Sequence, residues 1–387
     1  MAGMANRGRS GSRLDRRAFL LTGAVGTLAA CSASKGTGGT RAGTSASAPV
    51  TTPAPATTAA PGAPPGTVST IATGLDVPWG LAFLPNGDAI VAERETARVL
   101  RIPKAGGAPQ PLLTLPGVDT TGTSEGGLLG LAVSPTYARD ALLYAYFTSP
   151  SDNRIVSFTL TGGAGSVRPI LTGLLRGSIH NGGRIAFGPD RKLYAGVGET
   201  GQRGLAQDTS VLNGKILRIN ADGSVPADNP FRGSAIWSYG HRNVQGLAWD
   251  SAGRLWSSEF GQDRFDEVNL IQPGRNYGWP IVEGVGDTDG GKYTNPKVTW
   301  ATDDASPSGS AIVASTLYIG ALKGQCVLRV ALNGTNATKD SPLFSRLYGR
   351  IRTTAAAPDG SLWFTTSNRD GRGDPQDGDD HILRLQL

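Results

Sequence analysis

Three histidines occur in the 387 residues, and two of them stand where chemistry can be done. His180 lies in Ile179-His180-Asn181-Gly182-Gly183-Arg184, on a loop that enters an apolar strand. Imidazole exchanges its proton near neutral pH and is the commonest general base. The glycine pair beside it lets backbone approach a ligand closely. His241 lies in Tyr239-Gly240-His241-Arg242-Asn243-Val244-Gln245-Gly246, where Arg242 and Asn243 add a cation and an amide. Lys323 follows a later strand, and Arg350 and Arg352 flank Ile351. Residues i and i+2 of a strand face one side, so the two guanidiniums can grip one anion together. If these loops share an end of the fold, they predict a ligand bearing several carboxylates or phosphates. His381, inside the last strand, reads as structural.

Two acidic stretches carry less information. Glu259-Phe260-Gly261-Gln262-Asp263-Arg264-Phe265-Asp266-Glu267-Val268-Asn269 offers hard oxygen ligands of the kind Ca²⁺ takes, without the EF-hand spacing. The segment Asp370 to Asp380 reads as solvated surface. Gly196-Val197-Gly198-Glu199-Thr200-Gly201 matches a dinucleotide fingerprint, but no amphipathic helix follows it.

The elements that must position these residues come from a repeat. Gly80-Leu81-Ala82-Phe83-Leu84-Pro85-Asn86-Gly87-Asp88 introduces a phrase: an apolar strand, a Pro or Asp-Gly turn, a second apolar strand. It returns around Ala132, Ala186, Ala248, Ala311 and Ala355, at spacings of 50, 54, 62, 63 and 44 residues. Each copy is followed by alternating strands such as Lys215-Ile216-Leu217-Arg218-Ile219, the pattern of half-buried antiparallel strands. Units of this size with about four strands read as propeller blades. The predicted fold is all-β, a six-bladed β-propeller with four-stranded antiparallel blades, in which Val68 to Ala72 closes the ring. A β-sandwich pair is the rival, but it leaves six copies unexplained.

The ends of the chain have other roles. Arg16-Arg17 precedes an apolar run from Phe19 to Ala30 that ends Leu28-Ala29-Ala30-Cys31. This predicts a twin-arginine, lipoprotein-type export signal over 1–31, with Cys31 acylated. Residues 32–66 are almost wholly Ala, Gly, Ser, Thr and Pro and read as a disordered linker, leaving 67–387 as the propeller. The expected location is the outer side of the cytoplasmic membrane, held by a lipid anchor. The formal charge of +6 does not indicate nucleic acid, because residues 1–31 alone hold five arginines against one aspartate.

Taken together, Gly127-Leu128-Leu129-Gly130-Leu131-Ala132, the His180 and His241 phrases, Asp266-Glu267-Val268-Asn269, Asn276-Tyr277-Gly278-Trp279-Pro280 and Arg350-Ile351-Arg352 resemble the glucose/sorbosone dehydrogenase family. Soluble quinoprotein aldose dehydrogenases belong to it. The resemblance spans about residues 68–387. It implies pyrroloquinoline quinone (PQQ) with Ca²⁺, an aldose substrate oxidised at its anomeric carbon to the lactone, and an external electron acceptor. It makes His180 the base and sets Arg242 against the quinone oxygens with Asn243 beside it. Lys323, Arg350 and Arg352 would hold the cofactor. The carbonyls of Gly261 and Gln262 would take its Ca²⁺, while Asp266, Glu267 and the Tyr277 region would hold a second ion. Three positions depart from the family pattern. Glu125 stands where Gln is frequent, and needs a proton or a cation partner beside an anionic cofactor. Gln262 replaces a usual Pro. Ile179 stands where some members carry an acid that orients the base. Two other functions fit a six-bladed propeller, a Ca²⁺-dependent lactone hydrolase and a non-catalytic binding protein. No C-x-x-C-H haem motif is present, so electrons must leave on a separate carrier.

Overall fold

The computed structural model describes residues 66–122, 125–161 and 163–387, all within one compact unit, Ala59–Leu387. The expected export signal at 1–31, including Cys31, and the linker up to residue 65 lie outside the described residues.

Among the described residues, six four-stranded antiparallel sheets form the six blades. Blade 1 runs Pro78–Phe83, Ala89–Glu93, Arg98–Ile102 and Gln110–Thr114. Blade 2 runs Leu128–Val133, Leu143–Thr148, Asn153–Phe158 and Arg168–Leu174. Blade 3 runs Ile185–Phe187, Leu193–Val197, Lys215–Ile219 and Ile236–Tyr239. Blade 4 runs Val244–Trp249, Leu255–Glu259, Phe265–Ile271 and Val298–Ala301. Blade 5 runs Pro307–Val313, Thr316–Ala321, Cys326–Asn333 and Asn336–Leu343. Blade 6 takes Ile351–Ala356, Leu362–Thr366 and Ile382–Gln386, and borrows Thr67–Ala72 from the other end of the chain as its outer strand. That borrowed strand is the predicted ring closure.

The repeated phrase has a local cause. Its aspartate accepts amide hydrogens from its own hairpin turn: Asp190 Oδ1 from Lys192 (3.1 Å), Asp250 Oδ1 from Ala252 and Arg254 (3.0 Å each), Asp359 Oδ1 from Ser361 (3.0 Å). In several blades an arginine further along the chain pairs with that aspartate, as Arg101 does with Asp88 and Arg218 with Asp190. This use of scattered arginines within blades accounts for cations that make no basic patch. The phrase's glycine sets how closely neighbouring blades approach. A Cβ at Gly80 would lie 2.5 Å from the Leu129 carbonyl oxygen, and one at Gly130 would lie 2.2 Å from that of Gly183. Side chains from facing sheets, among them Trp79, Trp256 and Trp363, fill the space between blades.

This geometry positions the site. A loop entering an innermost strand and a loop leaving the second strand of the same hairpin lie at one end of the blade. Residues near 94, 125, 180, 199, 242, 260, 306, 322, 350 and 370 therefore meet at one end of the ring.

Candidate active site

A cavity of about 1250 Å³ opens at that end. His180, Arg242, Asn243, Lys323, Arg350 and Arg352 all line it, as do Glu125, Gly261, Gln262 and Asp266. The convergence of cations expected from sequence is present.

His180 sits at φ 54°, in the left-handed region. Its backbone N–H donates to Glu125 Oε2 at 3.1 Å, and its carbonyl accepts from Thr200 at 3.2 Å. The ring Nδ1 is hydrogen bonded to Glu199 Oε1. Glu199 is fully buried, and its other oxygen has no partner among the described residues. The acid that orients the imidazole thus comes from Glu199 and not from position 179, and the glycine-rich phrase set aside as a weak fingerprint supplies it. Blade 4 repeats the device: His241 Nδ1 bonds Glu259 Oε1 at 2.8 Å and its Nε2 bonds Ser238 Oγ at 2.8 Å. His241 is wholly buried and stacks on Tyr277 at 4.8 Å, so it supports the loop and does not face the cavity.

Arg242 is held on every side. Its backbone N–H donates to Glu259 Oε2 at 3.0 Å. Its Nη2 and Nε donate to Gln262 Oε1 at 2.6 and 3.1 Å, and Nη1 donates to the Phe260 carbonyl at 3.3 Å. The guanidinium lies 5.7 Å from the Trp279 ring centre. Burial pushes its pKa down, against the raising effect of nearby carboxylates led by Glu199. Asn243 Oδ1 accepts from Gly182 N–H at 3.0 Å and so fixes the loop that carries His180.

Arg350 and Arg352 do share one anion, as the i, i+2 geometry requires, but it belongs to the chain. Asp370 Oδ2 accepts from Arg350 Nη2 (2.8 Å) and Nε (3.1 Å), from Arg352 Nη2 (3.2 Å) and from Ser367 Oγ (3.2 Å). The expectation that Asp370 to Asp380 is solvated surface holds for residues 371–378, which are exposed or half-buried, and is corrected at the two ends of the run. The Asp370 side chain is 1% exposed, and Asp379 and Asp380 are buried. Burial raises the Asp370 pKa, but the charges of Arg352 and Arg350 outweigh it and the net direction is down. Arg352 is pushed down to about 9, first by burial and then by the cations around it.

Glu125 has the cation partner its position requires. Arg372 Nη2 reaches Glu125 Oε1 at 2.8 Å. Burial raises the Glu125 pKa, yet the Arg372 charge and the His180 N–H turn the net shift downward, so the carboxylate is ionised. Lys323 stands at the exposed rim, paired with Asp303. Arg94, Arg369 and Trp79, which sequence reasoning did not single out, also line the cavity.

Among the metal candidates, Gly261 and Gln262 lie in the cavity wall beside Asp266. Asp266 accepts from Gly261 N–H (2.8 Å) and Ser306 N–H (2.7 Å), and burial pushes it up to about 6. Glu267 points to the other face of the same strand, bonded to Gly284 N–H (2.8 Å) and Asn269 (3.0 Å), and burial with the Glu259 charge raises it. The Tyr277 hydroxyl is committed to the Leu270 carbonyl (2.7 Å) and Gln272 N–H (2.9 Å). The side chains of Asp266, Glu267 and Tyr277 are therefore not brought to one point. No cluster of three His, Cys, Asp or Glu suited to a metal occurs among the described residues.

A family model described as Glucose / Sorbosone dehydrogenase matches residues 75–383. The solved structure of a PQQ-bound aldose sugar dehydrogenase from Streptomyces coelicolor is 50% identical, covers 84% of this chain and 99% of its own, and superposes with a TM-score of 0.78. An aldose sugar dehydrogenase of Escherichia coli is 31% identical over 349 residues, 80% of this chain and 92% of its own length. Quinoprotein glucose dehydrogenase B of Acinetobacter calcoaceticus is 33% identical over 260 residues, 58% of this chain and 54% of its own length.

Proposed function

The chain belongs to the glucose/sorbosone dehydrogenase family, and on that premise we propose that it oxidises aldose sugars at the anomeric carbon with PQQ as the bound oxidant and Ca²⁺ beside it. The observation that carries this reading is one cavity holding an oriented imidazole opposite a set of guanidiniums.

The residues fit an anionic cofactor. Arg352 Nε and Arg94 Nε are buried in the cavity region with no partner among the described residues, so two donors stand ready for anionic oxygens. Arg350, Arg352 and Lys323 would hold carboxylates, and Arg242 would face the quinone oxygens. Gly261 and Gln262 offer backbone carbonyl oxygens, the hard donors Ca²⁺ prefers. Asp266, Glu267 and Tyr277 do not fit as a joint second site, and no step is routed through one. When bound, PQQ supplies a quinone that accepts hydride, and Ca²⁺ supplies the Lewis acidity that polarises it.

The chain's own residues do the rest. His180 takes the proton of the anomeric hydroxyl on Nε2, since Nδ1 is engaged by Glu199. Glu199 holds the ring in one orientation and stabilises the imidazolium as it forms. Arg242, clamped by Gln262 and the Phe260 carbonyl, keeps positive charge fixed where negative charge develops.

The lactonase alternative requires several carboxylates free around one axial ion. Glu95, Glu125, Asp303 and Asp370 are each paired with a cation instead, which favours the dehydrogenase. We also propose export through the twin-arginine signal, lipid anchoring through Cys31, and electron transfer to a separate carrier outside the cytoplasm. The motif Arg16-Arg17 and the Leu28-Ala29-Ala30-Cys31 run support this part. Mass spectrometry of the mature N-terminus tests it, and an unmodified Cys31 in protein from the native host contradicts the anchor. Sugar-dependent dye reduction by protein loaded with PQQ and Ca²⁺ tests the activity.

A further inference from the structure

The cation cluster is discharged from within by one turn. Arg369, Asp370, Gly371 and Arg372 follow the second strand of blade 6, and Gly371 takes φ 80°, which turns its two neighbours toward different partners. Asp370 fills the grip between Arg350 and Arg352, and Arg372 covers Glu125. All three hydrogen bonds from the clamp, and a fourth from Ser367 Oγ, fall on one oxygen, Asp370 Oδ2, while Oδ1 accepts only the Arg372 N–H at 3.0 Å. The clamp keeps unused capacity, because Arg352 Nε has no partner among the described residues.

From this geometry we infer that Asp370 is a resident counter-anion that sets the affinity and charge selectivity of the cofactor site. In the ligand-free protein it satisfies two buried guanidiniums that would otherwise repel one another. When an anion binds, the same carboxylate opposes it. The residue therefore stabilises the empty fold and weakens polyanion binding, restricting the site to ligands with enough carboxylates to outbid a like charge. The inference rests on the proposal that the natural ligand is the anionic quinone, and it deepens that proposal by naming what limits occupancy.

A purely structural role makes the opposite prediction. If Asp370 only holds Arg350 and Arg352 in place, its removal loosens the clamp and weakens binding. If it is a counter-anion, Asp370→Asn keeps an acceptor oxygen in the grip, removes the charge, and tightens binding. A full charge removed within several ångströms of the ligand in a partly buried site corresponds to roughly a 10- to 30-fold fall in Kd. Two under-compensated guanidiniums lower the melting temperature of the empty variant by roughly 3–6 °C.

The experiment uses the whole protein, wild type and Asp370→Asn, with Asp370→Ala as a second variant. PQQ binding is titrated by quenching of tryptophan fluorescence, and melting is followed without ligand, with chloride, and with sulfate at equal ionic strength. The expected result is a lower melting temperature for the empty variants together with tighter PQQ binding, largest for Asp370→Asn. Unchanged or weaker PQQ binding by Asp370→Asn overturns the inference. If wild type and variants alike fail to bind PQQ, the cofactor proposal fails separately, and sulfate still decides this one. A sulfate gain in melting temperature larger in the variant than in wild type upholds the counter-anion role, and an equal gain overturns it.

Discussion

Replacing Glu199 by Gln tests whether the buried carboxylate assists the base. Its Oε1 bonds His180 Nδ1, and the side chains are 1% and 11% exposed. The substitution keeps a hydrogen-bond acceptor and removes the charge. A hydrogen bond to a charged group contributes about 1.5–3 kcal/mol. A unit pair at ~4 Å with an effective dielectric near 20 contributes about 4 kcal/mol. The benefit appears only once the imidazole has taken the proton, so it belongs to the transition state. A loss of about 2–4 kcal/mol lowers kcat roughly 30- to 1000-fold. Sugar KM should change little, because no ground-state contact to substrate is removed. The assay is steady-state dye reduction at saturating PQQ, Ca²⁺ and aldose, with melting curves to verify folding. Glu199→Asp serves as a control that keeps the charge and shortens the reach, and its loss should be smaller. A fall in kcat of less than about fivefold for Glu199→Gln would show that the buried carboxylate does not assist the base.

Three other outcomes follow from the same structure. Gln262→Ala deletes the one side-chain oxygen that accepts from both Nε and Nη2 of Arg242 and should lower kcat about tenfold while the melting temperature stays within a degree or two, read by paired kinetics and calorimetry. Lys215 is fully buried and donates to the carbonyls of Leu205 (2.7 Å), Ala206 (3.2 Å) and Asn213 (2.7 Å), so Lys215→Met should destabilise the protein by ~2–4 kcal/mol in denaturant titration, and an unchanged midpoint would contradict the role given to those bonds. Burial lifts Asp266 to about 6, which means that below that pH a cation at the Gly261–Gln262 turn meets a neutral neighbour. Calorimetric Ca²⁺ affinity should therefore fall as pH drops from 7 to 5 and stay flat from 7 to 8, and an Asp266→Asn variant should lose the slope.

How much of this was legible in the sequence depends on the distance over which a signal acts. The Ala-centred phrase reports a hairpin whose turn is tied by its own aspartate, so each blade is written locally and six copies can be counted. Cations entering innermost strands, His180, Arg242 and Arg350 among them, are legible for the same reason, since the repeat fixes which end of the blade they occupy. What neutralises them was not legible. Glu125, His180 and Arg372 come from blades 2, 3 and 6 and meet only because the ring closes. Asp370 follows the second strand of the hairpin that Arg350 and Arg352 open, but it lies in a run of Asp, Gly and Arg whose composition is that of solvated surface, which hides the one carboxylate the two arginines grip. Glu199 was within reach. A hairpin places the residue before its first strand beside the residue after its second, so an acid there faces His180. The pair His241 and Glu259 repeats the arrangement one blade later at nearly the same separation, 18 residues against 19. Reading the two phrases against each other would have found it. Asp266 and Glu267 mislead for the complementary reason, because adjacent strand residues face opposite sides and cannot jointly hold one ion by their side chains.

The proposed function requires that this cavity bind PQQ and that His180 act as the base in aldose oxidation. The most direct measurement is reconstitution of the whole protein and of His180→Ala with PQQ and Ca²⁺, followed by dye reduction across a panel of aldoses and by a parallel PQQ-binding titration. The wild type should show sugar-dependent reduction that requires both additions, and His180→Ala should bind PQQ as tightly but reduce dye at least a hundredfold more slowly. Absence of PQQ binding by the wild type, or equal turnover by His180→Ala, would contradict it.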